Sequence, residues 1–378
     1  MTKLYKCGML KTVKEGKQVN RVTVVVGAGG TGSYVMPNLT NLYHTDTNDN
    51  CIVLIDGDVV EEKNLLRQGF LRKDLNGNKA EVLAKRYGLA YPDLGIYYST
   101  GFVNDVSSVL GVVDTFSEVD EVVLVSCVDN NYARLRLLLA QFQIFDKYGC
   151  DVHFIDAGNE EWHGQVIPCS LYSGNENPLK LQGDRVTFHA GACGGHALDS
   201  IFVGIENWRT KLTRGDHELS CDEVTVSHPQ NIGTNMMSAA TVVKAVQQVT
   251  QRVKVTEIRF NSRSNKFSVG TGSTSEQLVE RLEDICRFVN EEDTSIFGDS
   301  RIPVIPANRS MADKFKKATK EKRVAVPKKK ESKDLVDILS IFDDDDFGLD
   351  IDDVVEPNAE SVKKEEGYES WLSEFLDD

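Results

Sequence analysis

The chain has 378 residues, 40% of them hydrophobic, and a formal net charge of −15, enough for one large α/β domain with appendages or for two domains. It contains no apolar run long enough to span a bilayer, so a membrane protein is not expected. The charge is unevenly placed: residues 342–378 carry a net −13, residues 309–333 a net +8, and residues 1–308 about −8, a mildly acidic body that excludes nucleic acid as its expected ligand.

The first 20 residues read as an N-terminal extension without the apolar core of a signal peptide, so a cytoplasmic setting is expected. Cysteines stand at 7, 51, 127, 150, 169, 193, 221 and 286, with no Cys-x-x-Cys pair. They read as reduced thiols, and a four-cysteine zinc site is not expected. Residues 22–26, 51–55, 121–126 and 151–155 are apolar runs rich in β-branched residues and suited to buried parallel strands. Helical patterns fall between them at 79–87 and 131–145, the second with Leu135, Leu138, Leu139 and Phe142 on one stripe. Pro37, beyond the first turn of the helix expected after residue 29, predicts a kink there. This alternation gives an α/β fold, a doubly wound and largely parallel Rossmann-like sheet.

After Gly158 the texture changes. Residues 165–169, 185–189, 257–260 and 266–269 read as antiparallel strands, the last two joined by a turn at 261–265. Helices are expected at 229–249, with Met236, Met237, Ala240, Val243 and Ala245 on its packed face, and at 277–290. The domain reading is a globular unit over 21–306, with halves at about 21–158 and 159–306, then a low-complexity charged tail over 307–378 expected to be disordered. Within the tail, Leu335–Phe342 and Tyr368–Leu376 place apolar residues at helical spacing. Such islands suit a groove on a protein partner or on this chain's own body.

Gly27, Gly29 and Gly32 satisfy G-x-G-x-x-G between a strand and a helix. With Gly30 they form a loop that lets phosphate approach backbone N–H groups at a helix N-terminus. Asp56, at the end of the next strand, suits ribose hydroxyls. Up to this point a dehydrogenase fits equally well. Asn64, Arg67, Gln68 and Lys79 then add two cations and two amides, which hydride transfer does not need and phosphoryl chemistry does. Asp129, followed by Asn130, stands just past a strand end and suits Mg²⁺ bridging phosphates.

The ordered set Gly27-Ala-Gly-Gly-Thr-Gly-Ser33, Asp56-Gly-Asp58, Asn64-Leu-Leu-Arg67-Gln68, Gly77-Asn-Lys79-Ala80 and Cys127-Val-Asp129-Asn130-x-x-x-Arg134 resembles the ThiF/MoeB/ubiquitin-activating adenylation family. Ile155-Asp-Ala-Gly158 and Gly164-Gln165 resemble a later segment of the same family. The resemblance covers about residues 20–170 and extends weakly through 221–250. It implies ATP and Mg²⁺ as cofactors and adenylation of a C-terminal carboxylate of a small protein or peptide, such as a ubiquitin-like modifier, with release of pyrophosphate. It implies a homodimer as well. By position, Asp56 would bind ribose, Asn64, Arg67 and Lys79 would contact phosphates, and Asp129 would hold magnesium. Gly27, Gly29, Gly30, Gly32, Asp58, Gln68 and Asn130 complete the nucleotide-binding set. The chain departs from the family pattern in three ways: Met1–Asn20 has no Arg-Gln pair, the zinc cysteines are absent, and Lys79 follows Gly-Asn rather than Gly directly.

Some relatives pass the acyl group to a cysteine. Cys193, in a glycine-rich loop three residues before His196, and Cys221, beside Asp222 and Glu223, are the candidates. A reactive thiol needs a nearby cation; His196 can supply one to Cys193, whereas the acids oppose it at Cys221. Two competing readings remain: a Rossmann NAD-dependent oxidoreductase, and a catalytically silent nucleotide-binding scaffold. The first leaves Arg67, Lys79 and Asp129 without a role.

Overall fold

The computed structural model describes residues 20–182, 185–212 and 231–308. Most of the N-terminal extension, Cys7, Cys221 and nearly all of the charged tail with its two apolar islands lie outside them.

The buried run of β1 (Asn20–Val26) pairs in parallel with β2 (Asp49–Ile55) on one side and β4 (Glu121–Ser126) on the other. Beyond them, β3 (Gly95–Ser99) pairs with β2, and β5 (Asp151–Asn159) pairs with β4, both in parallel. The chain thus winds outward through β2 and β3, then returns to the other side of β1. That reversal opens a crevice at the carboxyl ends of β1 and β4, where open α/β sheets bind ligands. The antiparallel strands β6 (His163–Leu171), β9 (Ile258–Asn261) and β10 (Lys266–Val269) extend the sheet past β5. The two-residue β11 (Ile305–Pro306) closes the opposite edge against β3, so one nine-stranded sheet runs through both halves of the chain. The architecture is the Rossmann-like α/β fold read from the sequence.

Side chains alternate across the sheet as the pleat requires. Val22, Val24 and Val26 face one core with helices α3 (Val106–Asp114), α4 (Asn131–Tyr148) and α6 (Ser275–Glu291). Val25 faces the other, with α1 (Gly30–His44), α2 (Lys79–Ala90) and α5 (Ile232–Thr250).

The helix expected after the glycine loop forms: α1 runs from Gly30 to His44 with Pro37 inside it. The Ser33 carbonyl, which Pro37 has no N–H to serve, faces Gly69, where a Cβ would come within 3.2 Å of it. Helix α5 buries Ser238, Ala239, Val242, Ala245 and Val246. The expected packed face was therefore misphased: Met236 and Ala240 are exposed, and only Ala245 of the five is fully buried. Strand β8 (Arg185–Phe188) forms a separate ribbon with β7 (Leu179–Gln182). No described helix is long and apolar enough to cross a membrane, and the described cysteines are free of disulfides.

Candidate functional site

The glycine loop links β1 to α1. Gly27 has φ +93°, and a Cβ there would lie 2.6 Å from the Cys127 carbonyl oxygen; at Gly32 it would lie 1.9 Å from the Gly27 carbonyl oxygen. These two glycines make the turn and let α1 pack against it. Gly29 differs, since a Cβ there meets nothing nearer than Gln68 Nε2 at 3.8 Å. It fronts a cleft of about 460 Å³, a size suited to a small ligand, and no side chain caps the α1 N-terminus behind it. The first-turn N–H groups are therefore available to an anion.

Asp56 directly follows β2 and is fixed from both sides. Its Oδ2 accepts from Ala28 N at 2.6 Å and its Oδ1 from Asp58 N at 2.8 Å. Burial pushes this carboxyl up to about 6, with Asp58 adding to the rise and Lys79 and the two N–H groups opposing it. The extra residue in Gly77-Asn78-Lys79 is a helix cap. Asn78 Oδ1 accepts from Glu81 N at 3.0 Å, while its Nδ2 donates to the Asp56 and Asp58 carbonyls at 2.8 and 3.1 Å. That cap starts α2 at Lys79, whose side chain is buried except toward the cleft and whose Nζ donates to Asp58 Oδ2 at 3.0 Å.

Arg67 and Gln68 follow the short 3-10 helix Glu62–Leu66 and line the same cleft. Gln68 is buried, and its Oε1 has no hydrogen-bond partner. Asn64 is not among the lining residues. Its Oδ1 accepts from Glu61 N at 2.8 Å and shapes the turn that presents Arg67. Asn64 Nδ2 is buried behind the cleft with no hydrogen-bond partner.

Past β4, Asp129 stands exposed at the cleft wall. Asn130 caps α4 by accepting from Ala133 N at 2.8 Å, and its Nδ2 donates to Asp129 Oδ1 at 3.3 Å. Arg134, one turn on, ties the wall together. It donates to Asp156 Oδ1 at 2.8 Å and to the Val128 and Ala157 carbonyls at 2.7 and 3.0 Å. Burial raises the Asp156 carboxyl, opposed by Arg134. Cys127 also lines the cleft, but burial pushes its thiol up to about 12, leaving it a poor nucleophile.

One cleft thus gathers Gly27, Gly29, Gly30, Asp56 and Asp58 together with Arg67, Gln68, Lys79, Asp129 and Asn130. Phe102, Tyr132, Thr31 and Asn159 line it too, although no sequence motif singles them out. Phe102 follows β3, is 56% exposed, and lies so close to Gly57 that a Cβ there would touch its ring. An aromatic residue just past a strand is a detectable pattern, but only once β3 is recognised. Among the described residues no cluster of three or more His, Cys, Asp or Glu could hold a metal alone. Magnesium on a nucleotide needs only one or two carboxylates, because phosphate oxygens and waters fill its shell. Asp129 fits that role.

Cys193 lies elsewhere, in the 3-10 turn Ala190–Cys193. His196 Nδ1 accepts from Tyr172 N at 3.0 Å and its Nε2 donates to the Glu176 carbonyl at 2.9 Å. Both ring nitrogens are occupied, and burial raises the Cys193 thiol. The His196 ring therefore bonds to Tyr172 and Glu176. Cys221, with His217 and His228, falls outside the described residues.

A profile of the ThiF family matches residues 13–281. Similar solved structures include E. coli MccB with ATP, at 18% identity and TM-score 0.43, covering 68% of this chain and 64% of that one. E. coli MccB with AMPCPP and MccA gives 17% identity and TM-score 0.43, with 68% and 65% covered. PaaA gives 16% identity and TM-score 0.40, with 66% and 63% covered. The chain therefore spans less than two thirds of the length of these structures. No curated protein matches it.

Proposed function

We propose that this chain, which belongs to the ThiF family, uses ATP to adenylate the C-terminal carboxylate of a small protein or peptide. A substrate carboxylate oxygen attacks the α-phosphorus, the bond to the bridging oxygen breaks, and pyrophosphate leaves with the electron pair. Asp56 accepts from the ribose hydroxyls. The α1 N-terminal amides, Arg67, Lys79 and the amide donor of Gln68 meet the phosphates, where negative charge grows in the transition state, and Asn64 supports them from behind by shaping the turn that presents Arg67. Magnesium, when bound, would neutralise phosphate charge, and Asp129 with Asn130 behind it is the pair suited to hold it.

One observation carries this reading: Arg67, Lys79 and Asp129 line the same cleft as the glycine loop and Asp56. A nicotinamide site uses the loop and Asp56 alone. A ubiquitin-like protein is the substrate class we favour, and Cys193 and Cys221 are the candidate thiol acceptors. A homodimer is supported by the exposed side of α5, where Ile232 and Met236 lie in the open, and by Leu66, 82% exposed, next to Arg67. The reading places the protein in the cytoplasm, the nucleotide-binding half at about 21–158, the antiparallel half at 159–306, and a partner-binding role in the tail.

The test is exchange of labelled pyrophosphate into ATP in the presence of a small-protein fraction, before and after its carboxylates are amidated. Exchange that depends on free carboxylates, and that disappears in Arg67→Ala and Asp129→Ala variants with unchanged melting, is the expected result. Normal exchange in both variants would remove the roles assigned to them. Tight NAD binding without exchange would replace the reading with an oxidoreductase.

A further inference from the structure

A chain of amides crosses the back of the cleft and joins four elements that are far apart in sequence. Thr31 Oγ1, in the first turn of α1, donates to Asn159 Oδ1 at 2.9 Å, at the end of β5. Asn159 Nδ2 donates to Asn235 Oδ1 at 2.8 Å, in the first turn of α5. Asn235 Nδ2 then donates to the Arg67 carbonyl oxygen at 3.1 Å. The polarity is consistent from end to end: a hydroxyl opens the relay, a carbonyl closes it, and each amide accepts with its oxygen and donates with its nitrogen. Asn235 is 0% exposed, so a broken link there leaves buried groups unsatisfied. Its own position is pinned as well. Asn231 caps α5 through Gly233 N at 2.7 Å, and Thr234 Oγ1 donates to the Glu161 carbonyl at 2.7 Å.

We infer that Asn235 is a positioning residue for the cleft: it holds the Arg67 backbone directly and Thr31 through Asn159, fixing the Arg67 guanidinium relative to the amides of α1. This inference rests on the reading of the cleft as a nucleotide site. Asn235 touches no ligand itself; Thr31, Asn159 and Arg67 line the cleft, and it links them. An error of an ångström in the spacing between a cation and a phosphate cradle is enough to weaken both binding and reaction.

The experiment is a double-mutant cycle on the full chain, reading affinity for the α,β-methylene analogue of ATP with Mg²⁺ by calorimetry. Asn235→Ala should weaken binding about tenfold, and adding it to Arg67→Ala should cost less than about twofold more, because both changes remove one interaction. Asn159→Ala, at a half-buried position, breaks the same relay outside the α5 core. It should show the same coupling to Arg67→Ala, and it decides the matter if Asn235→Ala fails to fold. A purely structural role gives additive losses or unchanged affinity, and either result overturns the role of Asn235 while leaving the nucleotide reading intact. A wild-type chain that does not bind the analogue overturns both.

Discussion

The Lys79 ammonium sits 3.0 Å from Asp58 Oδ2 with its stem buried and the cleft in front of it. The carboxylate fixes the direction of the cation, and the Asn78 cap fixes its origin at the first residue of α2. Lys79→Ala should therefore lower pyrophosphate exchange by about a hundredfold, the usual loss when one stabiliser of developing charge is removed. Lys79→Arg should recover little, because a planar fork does not replace a point charge in this space. A steady-state exchange assay on both variants checks this.

Glycine substitutions should separate the turn from the ligand face. Gly32→Ala drives a methyl group to 1.9 Å from a backbone carbonyl oxygen, and should cost about 3 kcal/mol or more of stability. Gly29→Ala meets only ordinary contact, and should change stability by no more than about 0.5 kcal/mol while weakening nucleotide binding. Denaturant melts beside calorimetric titrations give both numbers.

Asp56 supplies a pH signature. Its folded value is raised from 3.8 to about 6, so the folded protein holds this proton more tightly than the unfolded chain does. The stability it contributes is fully present below the unfolded value and is lost as pH rises through about 6. Ribose binding runs the other way, since the carboxylate must be ionised to accept from two hydroxyls. ATP affinity should fall as pH drops below about 6, by at most about tenfold per unit. Asp56→Ala should bind weakly and without this pH dependence.

Arg134 and Asp156 form a buried pair, 7% and 2% exposed. Removing the cation strands a carboxylate in the wall between β4 and β5. Arg134→Ala should cost about 3–5 kcal/mol and lower exchange as the wall loosens, measurable by thermal melting alongside activity.

The parallel strands were legible because strands buried on both faces leave continuous β-branched runs, and α4 because its leucines repeat at helical spacing. The glycine loop, Asp56, Arg67, Lys79 and Asp129 were legible as an ordered motif set. Strand β3 was not: Gly95-Ile-Tyr-Tyr-Ser99 is short, with two aromatic residues side by side, so neither period stands out. Helix α3 was hidden by its valines, which favour strands locally, although Asp105 caps it through Ser108 N at 2.8 Å. The phase of α5 was misread because small and apolar residues occupy both of its faces. The contact between Asn159 and Asn235 joins residues 76 apart, and nothing in either local sequence announces it.

The most direct test of the central claim is a structure with bound α,β-methylene-ATP and Mg²⁺. The expected complex has ribose hydroxyls on Asp56, phosphates against the first turn of α1, and Arg67 and Lys79 in contact with them. A nucleotide bound elsewhere, or both cations turned to solvent away from it, would contradict the account.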